Sequence, residues 1–276
     1  MNRILTVQRL APTVVRLEIE APLIARKRKA GQFVILRVSE HGERIPLTIA
    51  GSNAERGSIT IVVQEVGKTT RDLGALKEGD SLQDLAGPLG TPTHVPENSR
   101  VACVAGGVGA AVVLPIAEAF HAAGNRVDAI LGARSEDLIV LKDEMRAASA
   151  RFYLTTDDGS AGEKGLVVAP LERLLQAGEV DQVICAGPVP MMQAVCEVTR
   201  KYNVPTLVSL NPVMVDGTGM CGGCRVSVNG QVKYACVDGP EFDGHGVDFA
   251  ELRARLAMYR PQEAHARDHK CKIGIG

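Results

Sequence analysis

The spacing of apolar residues changes once along the chain, and that change limits the possible folds more than any other feature. Up to about Leu89 the apolar residues come in short runs rich in Val, Ile and Leu, such as VVRLEIE at 14–20 and SITIVVQEV at 58–66. Repeated short strands of this kind predict a small antiparallel β-barrel. The other strand-like runs lie at 33–38, 44–50 and 81–87, with one helical piece at about 70–76.

Beyond the proline-containing segment 90–100, short apolar strands alternate with helix-length stretches. Such alternation predicts a parallel sheet with helices packed on its faces. The strands are expected at 101–105, 127–132, 152–155 and 183–186, and the helices at about 110–123, 138–149, 166–177 and 189–202.

The part of the chain from residue 206 onward follows neither pattern. It begins with a strand at 206–210 and a Gly/Cys-rich loop, and then reads RVSVNGQVKYACV, where Asn229-Gly230 predicts a β-hairpin. A charged helix near 248–258 and a polar tail follow. The predicted fold class is therefore α/β plus all-β, in three parts: an N-terminal β-barrel (1–95), a nucleotide-binding α/β domain (96–205) and a small cysteine-containing module with its tail (206–276).

Composition excludes several classes of partner. The 31 basic and 32 acidic residues leave no positive surplus to neutralise phosphates, and aromatic residues make up only 3%, so nucleic acid is not an expected partner. The uncharged stretch Val101–Ala117 contains three glycines and one proline, which favours a buried strand running into a helix over a membrane span. Seven cysteines without a visible secretion signal favour a reducing compartment, so a cytoplasmic location is expected.

One loop concentrates the residue types that bind metals. Four residues separate Asp216 from Cys221, two separate Cys221 from Cys224, and Cys236 lies beyond the predicted hairpin. Thiolates bind soft metals, and the four glycines of this loop would let backbone N–H groups donate to a cluster's sulfurs. Plant-type [2Fe–2S] loops have the spacing Cys-x4-Cys-x2-Cys…Cys, and here Asp216 takes the first position. A structural zinc and ordinary buried thiols are the alternatives that these residue types leave open.

A glycine turn, AGGVGA at 105–110, follows the first strand of the predicted parallel sheet. Bare backbone at the start of a helix could hold a pyrophosphate there. The dinucleotide fingerprint is incomplete because Val112 replaces its last glycine, and a packing turn explains the motif about as well. Asp128 lies near the start of the second strand, whereas Arg134 and Glu136 follow its end, which leaves the choice between NAD and NADP open.

Four further segments are candidates for phosphate or nucleotide contact. Two follow strands of the parallel sheet, where ligands of open α/β sheets bind: Thr156-Asp157-Asp158-Gly159 and Ala186-Gly187-Pro188. Two lie in the barrel, where a cation, hydroxyls and a glycine-opened helix start occur together: Arg44-Ile45-Pro46-Leu47-Thr48 and Gly67-Lys68-Thr69-Thr70. The barrel segments could equally be ordinary strand and turn chemistry.

The remaining cysteines carry weaker signals. Three of them lie in apolar patterns and are expected to be buried: Cys103, Cys185 and Cys196. Cys271 lies in the tail near His265 and His269, where a solvated tail is favoured over a metal site.

Barrel, nucleotide domain and cysteine loop together resemble the ferredoxin-NADP reductase-like flavoproteins. Within them the chain is similar to the branch that holds the dihydroorotate dehydrogenase electron-transfer subunit and the small subunit of NADH-dependent ferredoxin:NADP oxidoreductase, also described as sulfide dehydrogenase. The resemblance covers about residues 3–260 and rests on these motifs: GQF (31–33), RIPLT (44–48), GKTT (67–70), GPLG (87–90), AGGVG (105–109), TDDGS (156–160), CAGP (185–188) with Met191, and the cysteine loop.

In that family the barrel binds FAD, and the resemblance implies a role for each matching residue. Arg44 would contact the FAD phosphates, with Pro46, Leu47 and Thr48 along the flavin and Gly67, Lys68, Thr69 and Thr70 at the pyrophosphate. Gly107, Gly109 and Asp157 would bind NAD(H), with Cys185, Gly187 and Pro188 near its reactive ring. Asp216, Cys221, Cys224 and Cys236 would hold the [2Fe–2S] cluster, and no residue stands out as a general acid or base.

The function that the resemblance implies is electron transfer. A hydride from NADH would pass to FAD, which would release single electrons to the [2Fe–2S] cluster and on to a larger flavin and iron–sulfur partner subunit. The dihydroorotate dehydrogenase subunits carry Cys where this chain has Asp216, which shifts the expectation to the electron-bifurcating NADH-dependent ferredoxin:NADP oxidoreductase group. The alternatives are the dihydroorotate dehydrogenase subunit itself, a zinc-containing non-catalytic binding module, and a self-sufficient reductase for an oxygenase.

Overall fold

The computed structural model describes residues 2–268, and its N-terminal part consists of antiparallel strands in two sheets. The strands are β1 (Asn2–Ala11), β2 (Val14–Glu20), β3 (Phe33–Arg37), β4 (Ile45–Thr48), β5 (Gly51–Asn53), β6 (Ser58–Gln64), β7 (Ser81–Leu82) and β8 (Asp84–Leu89), and the helices are α1 (Pro22–Lys27) and α2 (Lys68–Gly74). One sheet has the order β5-β6-β2-β1-β7 and the other the order β4-β3-β8. The antiparallel part predicted from the sequence is thus present as two sheets.

Alternate residues of these strands form one core shared by both sheets. In β2 the side chains of Val15, Leu17 and Ile19 are buried, and they belong to the same apolar cluster as Val34 and Leu36 of β3. Burial at every second position in β2 is the consequence of a strand whose successive side chains point to opposite faces.

The segment 81–87, predicted as one strand, is divided at Gln83. Before the break Ser81 pairs with Arg3 of β1, and after it Asp84 pairs with Arg37 of β3. The chain passes from one sheet to the other at this point, so a continuous strand could not satisfy both pairings.

The second part is a parallel sheet with helices on both faces, as predicted. Its elements are β9 (Arg100–Gly106), α3 (Ala110–Ala122), β10 (Arg126–Ala133), α4 (Lys142–Ala147), β11 (Arg151–Thr156), β12 (Glu163–Lys164), α5 (Val168–Gln176), β13 (Gln182–Ala186), α6 (Val189–Lys201) and β14 (Thr206–Ser209). The strand order is β12-β11-β10-β9-β13-β14, with every pair parallel. Because both faces of β9 are covered, the whole run from Val101 to Ala105 is buried, which explains its continuous apolar sequence.

One helix of this part is shorter than predicted. The sequence pattern extends over 138–149, whereas α4 spans only Lys142–Ala147. A 3₁₀ turn at Glu136–Leu138 precedes it, and Leu141 has a left-handed backbone with φ of +58°. The apolar residues before α4 therefore enter the core from a turn.

The third part adds a hairpin, one more strand and two helices. These elements are β15 (Arg225–Val228), β16 (Gln231–Tyr234), β17 (Glu241–Asp243), α7 (Phe249–Ala257) and α8 (Arg260–Asp268). The hairpin predicted around Asn229-Gly230 is present, and α8 occupies part of the predicted polar tail. Strand β17 pairs antiparallel with β14, so two strands beyond residue 205 extend the nucleotide sheet. The boundaries at 95/96 and 205/206 stay predictions.

The apolar stretch Val101–Ala117 divides into β9, a glycine turn and the first half of α3. Among residues 2–268, no helix has both the length and the apolar composition needed to cross a membrane.

Candidate cofactor cleft and cluster loop

A cleft of about 970 Å³ lies between the barrel strands and the carboxyl ends of the parallel strands. Ligands of open α/β sheets bind at this edge. The ends of β9, β10, β11 and β13 form one wall, and residues of β2, β4 and β6 form the other. Nine of the residues predicted to bind FAD or the nicotinamide nucleotide line this cleft: Pro46, Leu47, Thr48, Thr70, Gly107, Gly109, Asp157, Gly187 and Pro188.

The two predicted glycines of the first turn are required for different reasons. Gly107 has φ of +54°, and a Cβ built on it would meet no atom within 4 Å, so its backbone is bare and faces open space. A Cβ on Gly109 would overlap the carbonyl of Ala186 and lie 3.0 Å from Gly187 Cα. Gly107 therefore leaves room for a ligand, whereas Gly109 lets α3 start against the end of β13.

The barrel turn before α2 is organised by a threonine hydroxyl. Thr70 Oγ1 accepts hydrogen bonds from the backbone N–H groups of Val66 (3.0 Å) and Gly67 (2.9 Å). Thr69 Oγ1 donates to Glu43 Oε2 at 3.0 Å, and Lys68 forms an ion pair with Asp72 at 2.8 Å. A Cβ on Gly67 would meet no atom within 4 Å, so this backbone is also open. Of these four predicted residues, only Thr70 lines the cleft.

Two further predicted residues lie outside the cleft lining. Arg44 Nε donates to the backbone carbonyl of Val215 at 3.0 Å, so this barrel arginine contacts the loop that precedes the cysteines. Cys185 is fully buried in β13 among core residues, and burial raises the pKa of its thiol well above the ordinary value. The structure does not bring the Cys185 side chain to the cleft.

Asp128, which the sequence places near the start of the second parallel strand, lies away from the cleft lining. Asp128 is fully buried near the start of β10 and accepts hydrogen bonds from Arg151 Nε (2.6 Å) and Nη2 (2.9 Å). A buried carboxylate needs such a charged partner. Asp128 thus forms a structural ion pair with Arg151. The charged residues that follow β10 and β11 and line the cleft are Arg134 and Asp157.

Several cleft residues were not recognised in the sequence. Asn211, Met214 and Pro240 belong to the third part and also line the cleft. A signal for the first of these existed, because the strand at 206–210 was recognised. The sequence did not show that this strand, β14, belongs to the parallel sheet. Because it does, its carboxyl end lies at the ligand-binding edge.

The cysteine loop brings two of its predicted ligands into contact. Cys224 Sγ and Cys236 Sγ are 3.2 Å apart and both are buried, because the β15–β16 hairpin returns the chain to the loop. Cys221 is exposed, and its sulfur accepts a hydrogen bond from Gly223 N at 3.4 Å. Backbone N–H donation to sulfur is one of the levers that tune iron–sulfur centres.

Asp216 binds the backbone of the same loop between residues 216 and 221. Its carboxylate accepts hydrogen bonds from the backbone N–H groups of Thr218 (2.5 Å) and Cys221 (2.7 Å). These bonds hold the pKa of Asp216 below its usual range, so the side chain is ionised at neutral pH. Gly217 and Gly219, with φ of +80° and +85°, supply the left-handed backbone that this turn requires.

The loop is also held from outside by an arginine. Arg255 of α7 donates from Nη2 to the carbonyl of Gly223 at 2.9 Å, between the second and third predicted ligands. Arg44 donates to Val215 at the beginning of the loop and Arg255 to Gly223 near its end, so a guanidinium contacts the backbone at both places.

The donor set fits an iron–sulfur cluster. Three thiols and one ionised carboxylate lie on one loop and its hairpin, with glycine backbone close to the sulfurs. Among residues 2–265, whose side chains the structure describes, no three Cys, His, Asp or Glu side chains are grouped around one metal position. In a [2Fe–2S] cluster each iron takes two protein ligands, and the contact between Cys224 Sγ and Cys236 Sγ is compatible with such a pair. Cys103 and Cys196 are buried as predicted, while the tail site at His269 and Cys271 lies outside the described residues.

Comparison with known proteins identifies the family. Two family descriptions match: an iron–sulfur cluster binding domain of dihydroorotate dehydrogenase B over residues 211–248, and an oxidoreductase NAD-binding domain over residues 103–197. The chain is 47% identical to a dihydroorotate dehydrogenase B electron transfer subunit homolog of Thermotoga maritima, over 95% of this chain and 93% of that protein. It is 33% identical to the dihydroorotate dehydrogenase B electron transfer subunit of Desulforamulus reducens, over 87% and 94%. The chain belongs to this family.

A solved structure gives a further match across the molecule. It is described as giving insights into flavin-based electron bifurcation via the NADH-dependent reduced ferredoxin-NADP oxidoreductase structure. It matches with a TM-score of 0.92 and 45% identity, covering 96% of both chains. The predicted family and the mixed fold are therefore confirmed.

As a member of the electron transfer subunit family, the chain is an oxidoreductase linked to NAD(H). The cluster-binding domain includes all four predicted ligands, and the NAD-binding domain includes both turn glycines and Pro188. The predicted cofactor set of FAD, an iron–sulfur cluster and NAD(H) agrees with these matches. The role of each individual residue stays a prediction.

Proposed function

We propose that this chain is the small electron-transfer subunit of a complex of the NADH-dependent ferredoxin:NADP oxidoreductase type. FAD and NADH would occupy the cleft, and a [2Fe–2S] cluster the loop. Asp216 carries this proposal, because the resemblance drawn from the sequence implies Cys in its place in the dihydroorotate dehydrogenase subunits. The strong likeness to the bifurcating oxidoreductase structure over nearly the whole chain supports it.

When bound, FAD would accept the two electrons of a hydride from NADH and release them singly, and the cluster would carry single electrons onward. The residues of the chain would position these groups. Pro46, Leu47 and Thr48 offer the wall along which a flavin would lie, and Gly107 offers open backbone to a pyrophosphate. Gly187 and Pro188 would border the nicotinamide, and hydride transfer needs no dedicated acid or base among them.

The four cluster ligands would act in two pairs. Cys224 and Cys236, already in contact, would bind one iron, and Asp216 with Cys221 would bind the other. The N–H group of Gly223 donates to Cys221 Sγ, so it would stabilise charge on that sulfur. Because a carboxylate donates less electron density than a thiolate, Asp216 would keep the potential above that of a four-cysteine site.

The surface around this loop supports a larger partner subunit. Met220 is 89% exposed, Val215 50% and Val237 43%, although all three are apolar and lie in or beside the loop. Exposed apolar groups clustered at one place are typical of an interaction surface. A partner with its own flavin and iron–sulfur centres would cover them and receive electrons where the cluster lies nearest the surface.

The visible spectrum of anaerobically purified protein, before and after one equivalent of NADH, tests the cofactor path. Flavin bands on a broad iron–sulfur background, bleached by NADH, are expected. A folded but colourless protein would contradict the proposal and favour the alternative of a zinc-containing binding module.

Isolation of the complex separates the two oxidoreductase roles. The proposal predicts co-purification with a larger subunit that couples NADH to NADP and ferredoxin. Co-purification with a subunit that oxidises dihydroorotate would instead favour the alternative role, that of the dihydroorotate dehydrogenase B relatives. The cytoplasmic location and the absence of nucleic acid as a partner remain predictions from composition.

A further inference from the structure

The third part of the chain contributes an exposed amide side chain to the cleft. Asn211 follows the carboxyl end of β14 and lines the cleft. The residue is exposed, and its side chain makes no hydrogen bond with any other residue between 2 and 265. Among the cleft-lining residues of that range, the other side-chain carboxamide is Gln64, which belongs to β6 of the barrel. Asn211 is therefore the amide that the sheet side of the cleft presents.

The backbone on both sides of Asn211 is fixed. Before it, Leu210 is 3% exposed, and its backbone N–H donates to the carbonyl of Pro240 at 2.9 Å. After it, Pro212 and Met214 are buried. Because buried residues precede and follow Asn211 directly, its side chain is held toward the cleft. A polar group held in place in this way needs little further ordering when a ligand binds.

The register of the parallel sheet places Asn211 beside the predicted nicotinamide contacts. Strand β14 is hydrogen-bonded to β13, on the side of β13 opposite to β9. Cys185 pairs with Val208 in this register, and Pro188 and Asn211 each lie three residues beyond their strand's member of the pair. The two segments therefore leave the sheet at the same level, and neighbouring strands are only about 4.8 Å apart.

The order of the strands gives the direction of a bound dinucleotide. The turn with Gly107 follows β9, and Gly187 follows β13. A nicotinamide at Gly187 thus has the pyrophosphate on one side and Asn211 on the other. The polar substituent of a nicotinamide ring is a carboxamide, the same group that ends the Asn side chain, with one acceptor oxygen and one donor nitrogen. Two such groups can form two hydrogen bonds in opposite directions.

We propose that Asn211 is a nicotinamide-binding residue whose side-chain amide pairs with the carboxamide of the nicotinamide nucleotide. This inference rests on the proposed function, because it takes NADH and its product as ligands of the cleft. Asn211 Nδ2 would donate to the carboxamide oxygen, and Asn211 Oδ1 would accept from the carboxamide nitrogen. These two bonds would fix the rotation of the ring, so one residue both recognises the carboxamide and orients the ring toward the barrel wall.

The test is Asn211→Ala, measured as binding to the FAD- and cluster-loaded protein by calorimetry. The first probe is NAD⁺, which carries the carboxamide and does not react with the oxidised flavin. The second is ADP-ribose, which has no nicotinamide. The variant should bind NAD⁺ about tenfold more weakly than the wild type, because two neutral hydrogen bonds are lost, and should bind ADP-ribose equally well.

A third probe identifies the group of the ligand that Asn211 contacts. In the 3-acetylpyridine analogue of NAD⁺ a methyl ketone replaces the carboxamide, so the donor nitrogen is lost and the carbonyl is kept. The wild type should prefer NAD⁺ over this analogue by about fivefold, the value of one hydrogen bond. Asn211→Ala should bind both with equal affinity.

Ser209→Ala is the matched control. Ser209 is the last residue of β14, lines the cleft, and also makes no side-chain hydrogen bond with another residue between 2 and 265. It lies two residues before Asn211, so it tests whether any polar side chain at this end of the cleft would give the same result. This control should keep the preference for NAD⁺ over the analogue.

Two results would overturn the inference. One is a preference for NAD⁺ that is absent in the wild type, persists in Asn211→Ala, or is lost equally in Ser209→Ala. The other is an equal loss of NAD⁺ and ADP-ribose affinity in Asn211→Ala, which would indicate a general distortion of the cleft. Reduction of the bound flavin by NADH in the wild type keeps the two levels apart. If NADH does not reduce it, the proposed function fails; if it does and Asn211→Ala keeps the preference, only the inference fails.

Discussion

The turn Gly106–Gly109 and the loop Asp216–Cys224 are both rich in glycine and both predicted to hold a cofactor, but they are fixed in different ways. The turn lies between β9 and α3, and its close approach to the end of β13 is set by the packing of the sheet. The loop lies in no sheet and is held by polar contacts: those made by Asp216, and those from Arg44 and Arg255. The turn is thus shaped by backbone packing, whereas the loop is organised by side chains that bind its backbone.

The difference lies in what each glycine avoids. In the turn, Gly106 and Gly109 would overlap Met191 and Ala186 if they carried a Cβ, so the requirement is close packing. In the loop, Gly217, Gly219 and Gly222 all have positive φ, so the backbone conformation is required at each of them, whereas in the turn only Gly107 has it. Gly217 is close-packed as well, since a Cβ on it would lie 2.8 Å from the side chains of Ile35 and Leu89. The same residue type in a sequence therefore does not distinguish a rigid packing turn from a loop that a metal cluster would complete.

The largest expected effect separates the two sites completely. Cys236→Ser removes one member of the contacting thiol pair, so the cluster should be lost. Iron analysis and the visible spectrum should show loss of the iron–sulfur absorbance, while flavin bands and bleaching by NADH persist. Cys196→Ala, a buried cysteine outside the loop, is the control and should retain its iron. Loss of NADH bleaching together with the cluster would show that the sites are not independent.

The next effect is on the turn. Gly109→Ala drives a Cβ against the backbone of Ala186 and Gly187, which cannot move away as a flexible side chain could. We expect the free energy of unfolding to fall by about 1–3 kcal/mol, as for an overpacked core. The Cβ of Gly107→Ala would meet open space, so only the positive φ is unfavourable, and the free energy of unfolding should fall by roughly 1 kcal/mol. NADH binding should be weakened more by Gly107→Ala than by Gly109→Ala. Urea unfolding and NADH titration measure both, and equal stability losses would contradict the distinction.

The sequence predicted the individual strands, the turn and the cysteine loop better than the contacts between distant segments. Strands such as 14–20 and 33–38 and the β9–α3 turn follow from local patterns, because burial at a fixed period is visible in a single segment. The division at Gln83, the pairing of β17 with β14 and the cleft position of Met214 depend on contacts between distant segments. The buried hydroxyl of Thr155 has no hydrogen-bond partner, and no local sequence pattern could have shown this, because it depends on the three-dimensional surroundings.

A smaller effect concerns the potential of the cluster. Asp216→Cys replaces a carboxylate by a thiolate, which donates more electron density to iron, so the midpoint potential should fall. Two imidazoles in place of two thiolates raise a [2Fe–2S] potential by about 250 mV or more, so one exchange between two anions should shift it by on the order of 100 mV at most. An anaerobic redox titration followed by the spectrum of the reduced cluster measures the shift. An unchanged or higher potential would contradict Asp216 as a ligand.

The smallest expected effect tests whether the loop depends on side chains outside it. Arg255→Gln removes the cation that contacts the Gly223 carbonyl, and reduction adds negative charge to the nearby cluster. The potential should therefore fall by on the order of tens of millivolts, the size of a screened interaction of about 1 kcal/mol. Arg255→Lys keeps the charge and should shift the potential less, while both variants retain their iron. Because Arg255 donates to the Gly223 carbonyl of the loop and does not line the cleft, NADH binding should be unchanged in both. An equal shift in the two variants would assign the effect to the lost hydrogen-bond geometry, and no shift in either would mean that the loop and its cluster are organised without this arginine.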